Sequence, residues 1–151
     1  MKTLVIGYGN SLRGDDALGH VAAEAIASLQ IPNVEVIRVH QLVPELCDDI
    51  KNADRVLFID AAIFDDAQDY HCERVHPVPS HVVLGHHETP GNVLALTSEL
   101  YERVPEAWLL SIAACSFEHG ASITPFAQAN LDKALAWIRC FLSQQNSAIS
   151  G

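Results

Sequence analysis

Basic residues are scarce. Nine Lys and Arg face 19 Asp and Glu, a formal net charge of −10 with His neutral. Nucleic acid and anionic membrane surfaces attract partners through surplus cations, so neither is expected to bind this chain. Long apolar runs are also missing: none approaches the ~20 residues of a membrane span. Met1-Lys2-Thr3 leads directly into Leu4-Val5-Ile6, which Gly7 ends, so no signal peptide is read and the cytoplasm is the expected compartment. The four cysteines, Cys47, Cys72, Cys115 and Cys140, form no CxxC pair, which excludes a zinc ribbon or a thioredoxin-like motif. They are expected to be reduced and buried. No repeat or low-complexity tract occurs beyond a small polar stretch, Ser143-Gln144-Gln145-Asn146-Ser147. Residues 1–145 are therefore read as one domain and 146–151 as a frayed tail.

What is present suits a globular domain. Of 151 residues, 49% are hydrophobic and 19% charged, enough to bury a core without a disorder signature. Apolar strands alternate with helical periodicity throughout. Thr3 to Ile6 reads as a buried strand, followed by a glycine-rich loop from Gly7 to Gly14. Leu18, Val21, Ala22, Ala25, Ile26 and Leu29 then mark one face of a helix. Val34–Val39 is a second strand, and Pro44 starts a helical turn running to about Lys51. Arg55–Asp60 is the clearest strand, ending on a carboxylate. A strand around His71–Val75 follows, then an irregular stretch around Pro77 and Pro79. Pro90 opens a helix carrying Val93, Leu96 and Leu100, and Trp108–Ile112 is a fifth strand. Thr124-Pro125 caps the last helix, whose apolar face is Leu131, Ala134, Leu135, Ile138 and Leu142. This alternation predicts an α/β fold: a single three-layer domain with a mostly parallel twisted sheet of about five strands and helices on both faces.

Ligands of such sheets bind beyond the carboxyl ends of the strands. The loop after the first strand ends in Asp15-Asp16, the third strand ends on Asp60, and the segment after the fourth carries His86-His87-Glu88. Carboxylates and imidazole converging from separate loops suit a divalent transition metal such as zinc or nickel, with open positions for substrate. Each residue also has a plainer reading. Asp16 can complement a helix dipole, and Asp60 can bond its own backbone. His20, His71, His76 and His81 are read as needing no special explanation. Competing motifs fail on single residues. The third glycine of a dinucleotide fingerprint falls on Leu12, and no Gly-Lys-Ser/Thr forms a P-loop. A phosphoacceptor domain would need a lysine near the fifth strand, yet none occurs between Lys51 and Lys133. Cys115 and Ser116, near His119, have no nucleophile elbow around them, and Cys115 is read as a small residue ending a buried strand.

Three motifs go further together: Gly7-Tyr8-Gly9-Asn10-Ser11-Leu12 with Asp15-Asp16; Ile59-Asp60-Ala61; and His86 followed by Pro90 and Val93-Leu94. In these the chain resembles the hydrogenase maturation endopeptidases, which trim nickel-iron hydrogenase large subunits. The resemblance implies an endopeptidase that removes the C-terminal peptide of a nickel-loaded large-subunit precursor. Asp16, Asp60 and His86 would form the metal-contacting and catalytic set. His86 is taken over His87 because its spacing to Pro90 and Leu94 matches the family pattern. The metal would be nickel supplied by the substrate, with no organic cofactor, and the partner is the precursor. A monomer is the default expectation. The alternatives are a nickel-binding or hydrogenase-docking maturation chaperone without proteolysis, and a nucleotide-binding α/β enzyme.

Overall fold

A computed structural model describes residues 1–79 and 88–149, without the side chains of 145–149. Five strands form one sheet in the order β2-β1-β3-β5-β4. They are β1 (Thr3–Tyr8), β2 (Val34–Val39), β3 (Arg55–Ala62), β4 (Tyr70–Val75) and β5 (Glu106–Ala113). β1, β2, β3 and β5 run parallel, whereas β4 pairs antiparallel with β5 at the edge. The central strands are continuous apolar runs because both of their faces are covered. Leu4, Val5, Ile6, Val56, Leu57, Phe58 and Ile59 are all buried.

The helices are α1 (Leu18–Ser28), α2 (Cys47–Ile50), α3 (Pro90–Tyr101) and α4 (Pro125–Ile149). On one face, Leu18, Ala22 and Ile26 of α1 and Leu131, Ala134 and Ile138 of α4 pack with Val5, Leu57 and Leu110. On the other, Cys47 and Ile50 of α2 and Val93 and Leu94 of α3 pack with Ile6, Phe58 and Ala107. The three-layer arrangement expected from the alternation of elements is therefore the one observed. α1 lies unusually close to β1: a Cβ on Gly7 would sit 2.1 Å from the Gly19 carbonyl oxygen. No described helix is long and apolar enough to cross a membrane.

Several local expectations change. β1 includes Gly7 and Tyr8, and β3 continues past Asp60 to Ala62. The α3 face uses Val93, Leu94 and Thr97, while Leu100 is exposed. All four cysteines are free, but only Cys47 is buried; Cys115 and Cys140 are exposed. Cys115 does not end a buried strand, because β5 stops at Ala113 and Cys115 lies in the loop beyond. Because β4 is antiparallel, its own carboxyl end (Val75, opposite Ala107) lies at the amino edge of β5.

Candidate active site

Chain order reverses direction at the centre of the sheet. From β1 the chain first goes outward to β2, then returns across β1 to β3, continues to β4 at the far edge and comes back to β5 between them. The crevice between the carboxyl ends of β1 and β3 is thus the topological switch point, where open α/β sheets bind ligands. A cavity of about 330 Å³ opens there, lined by Tyr8, Gly9, Asn10, Arg13, Asp16, His40, Gln41, Leu42, Asp60 and Glu88. Asp16 and Asp60, singled out in sequence, are brought together in it. His86 and His87 lie outside the described residues. Among the described residues no group of three or more His, Cys, Asp or Glu side chains is placed to hold a metal ion.

Asp16 follows a tight turn. It belongs to a 3-10 segment, Gly14–Ala17, directly before α1. It stands as an acid in the first turn of that segment, as the dipole-complementing reading has it, but its carboxylate makes no capping hydrogen bond to α1. Oδ2 instead accepts a hydrogen bond from the Asn10 amide at 2.9 Å, back across the glycine-rich loop. Gly9 permits this approach: its φ is +140°, and a Cβ there would meet the Asp16 carbonyl oxygen at 2.3 Å. Asp60 does bond its own backbone, Oδ1 accepting from the Ala61 amide at 2.7 Å, but the strand runs on without turning. Burial pushes the Asp60 carboxyl up to about 6, the Asp16 charge adds to this, and the Ala61 amide and Tyr8 hydroxyl oppose it. Burial and the facing Asp60 carboxylate likewise raise the Tyr8 phenol far above its usual range. The pair leaves one carboxylate ready to accept a proton near neutrality beside a second of similar chemistry.

Asp15 behaves differently from its neighbour. It is fully buried, and its carboxylate accepts from the amides of Cys115 (2.7 Å), Ser116 (3.0 Å) and Thr124 (2.7 Å) and from the Thr124 hydroxyl (2.9 Å). Burial alone would raise its pKa; the bonds from Thr124, Cys115 and Ser116 together outweigh burial and hold it below the usual carboxylate range. The Asp15 amide donates back to the Ser116 carbonyl at 2.8 Å, so the loop after β1 is stitched to the segment after β5. Cys115 and Ser116 thus serve this latch through their amides.

His20, which the sequence reading set aside, also reaches the site. Its Nε2 lies 2.8 Å from the Gly9 carbonyl oxygen and 3.0 Å from that of Val39. Nothing in the local sequence marked it, because both contacts are made across the turn between β1 and α1 or across the sheet.

No protein-family model and no curated protein sequence matches the chain. Solved structures do. The hydrogenase maturating endopeptidase HybD from E. coli is 24% identical with a TM-score of 0.77, over 96% of this chain and 94% of that one. The [NiFe] hydrogenase maturation protease HycI from Thermococcus kodakarensis KOD1 is 20% identical with a TM-score of 0.74, over 91% and 89%. A hydrogenase 2 maturation peptidase from Thaumarchaeota archaeon SCGC_AB-539-E09 is 16% identical with a TM-score of 0.70, over 94% and 98%. The chain therefore has the fold of these maturation proteases along nearly its whole length.

Proposed function

We propose that this protein is a hydrogenase maturation endopeptidase that removes the C-terminal peptide of a nickel-loaded nickel-iron hydrogenase large-subunit precursor. The observation that carries this reading is the pairing of Asp16 and Asp60 in one cavity at the switch point of a maturation-protease fold. In this reading the nickel arrives with the substrate, and Asp16, Asp60 and His86 complete its coordination. Imidazole and carboxylate suit nickel, and a site that lacks its metal until the precursor docks makes cleavage conditional on loading. Held there, nickel would supply Lewis acidity toward the scissile peptide, and a carboxylate of the cavity would take the proton of the attacking water.

The test is cleavage of loaded precursor by the Asp16→Ala, Asp60→Ala double variant and by His86→Ala, each checked for folding by circular dichroism. Loss of at least ~10²-fold in rate is expected, since removal of metal-contacting or proton-accepting groups costs this much. Cleavage retained by the double variant would overturn the mechanism.

A further inference from the structure

We propose that His20 is a positioning residue for Asp16, acting through the single peptide unit that joins Gly9 to Asn10. The inference rests, for its catalytic half, on the function proposed above.

The argument starts with the peptide plane. In a trans peptide the C=O and N–H point in opposite directions and turn as one rigid body; among the described residues there is no cis peptide bond. The Gly9 carbonyl oxygen lies 2.8 Å from His20 Nε2. The N–H of the same peptide unit, at Asn10, points the other way and donates to Asp16 Oδ2 at 2.9 Å. His20 on α1 thus grips one end of a rigid plane whose other end aims at the Asp16 carboxylate.

Both neighbours of His20 Nε2 are carbonyl oxygens, which only accept, so the ring must carry a proton there. That proton is shared between Gly9 and Val39, and Val39 also accepts from the Gly9 amide at 3.3 Å. The end of β2 therefore anchors the assembly. The plane turns about ψ of Gly9 and φ of Asn10, and Gly9 has no side chain to hinder the first of these rotations, so an anchor on its carbonyl matters. Bonds from Arg13 to the Asn10 carbonyl and from Leu12 to the Asn10 side chain hold the far side of the turn; without the imidazole the Gly9 end loses its grip, and the plane can tilt the Asn10 donor off the carboxylate. Bonds in series also polarise one another, so a donor on Gly9 O strengthens the Asn10 bond.

The test compares His20→Phe, which fills similar space without a donor, with His20→Gln, whose amide nitrogen can occupy the Nε2 position. Two readouts are taken on the full chain: hydrogen exchange of the Asn10 amide by NMR, and kcat and KM for cleavage of nickel-loaded precursor. In His20→Phe the Asn10 amide is expected to exchange roughly 10- to 100-fold faster, with kcat/KM down by a similar factor, as expected when a supporting partner of a metal-contacting group is lost. His20→Gln should recover both to within about 3-fold of wild type, a rescue that a purely space-filling role would not require. An unchanged Asn10 amide in His20→Phe, or a changed amide with unchanged cleavage, overturns the proposal. Should His20→Phe fail to fold, the wild type decides: a slowly exchanging ring proton on Nε2 supports the link, and an Nδ1–H tautomer overturns it. If wild type itself cuts no loaded precursor, the proposed function fails, while the amide readout still accepts or rejects the His20–Asp16 link.

Discussion

Replacing Asp15 by alanine removes a carboxylate that satisfies four donors at once: the amides of Cys115, Ser116 and Thr124 and the Thr124 hydroxyl. The hydroxyl can turn to another acceptor, but the amides are fixed by the backbone. A donor left unmade in a buried site costs about 1–3 kcal/mol, and partial entry of water reduces the sum. A loss of about 3–5 kcal/mol is therefore expected, against a total stability of roughly 5–15 kcal/mol for a domain. With a urea m-value of about 2 kcal/mol/M, the midpoint should fall by roughly 1.5–2.5 M. Asp15→Asn should lose about half as much. Its oxygen can keep the position that accepts from Cys115, Ser116 and Thr124 Oγ1, while its NH2 then opposes the Thr124 amide. The pH dependence has a definite sign. The folded pKa of Asp15 lies below its unfolded value, so its contribution is complete above the ordinary carboxylate range and is lost as pH falls through the folded value. Wild type and Asp15→Asn should converge in strong acid. A midpoint for Asp15→Ala within ~0.3 M of wild type would refute the latch.

Asp60 titrates with the opposite sign. Its folded pKa, about 6, lies above the unfolded value, so its contribution is present below pH ~4 and is lost as pH rises through 6. Asp60→Asn should gain about 2–3 kcal/mol relative to wild type between pH 4 and pH 7.5, measured by urea unfolding at each pH; a gap independent of pH would contradict this. Gly19→Ala places a Cβ 2.5 Å from the Tyr8 carbonyl oxygen and 2.7 Å from that of Ile59, both backbone atoms that cannot swing aside. The expected cost is about 3 kcal/mol or more, read as a fall in Tm or loss of soluble protein; a variant as stable as wild type would mean that α1 sits farther from the sheet.

The sheet and the paired carboxylates of the cavity could be read in the sequence for different reasons. Arg55–Ile59 is an uninterrupted run of residues suited to a doubly buried strand, so its placement needed only local information. Asp16 and Asp60 were found because parallel α/β sheets place ligands at strand carboxyl ends, a rule that turns local assignments into a spatial one. The direction of β4 was not legible, since pairing with β5 is decided by contacts that no local pattern encodes. The division of labour between Asp15 and Asp16 was hidden as well. The two residues are chemically identical neighbours, and the 3-10 turn points one into the core toward Thr124 and the other at the cavity. His20 lacked any signal because its acceptors are backbone carbonyls, which every sequence supplies everywhere.

The central claim, a metal-conditioned protease, is tested most directly by intact-mass spectrometry of purified large-subunit precursor incubated with this protein, with and without nickel loaded. The account predicts loss of a C-terminal peptide from the nickel-loaded precursor and an unchanged mass for the nickel-free one. An unchanged mass in the loaded sample while the two proteins co-elute would contradict it and point to a docking chaperone.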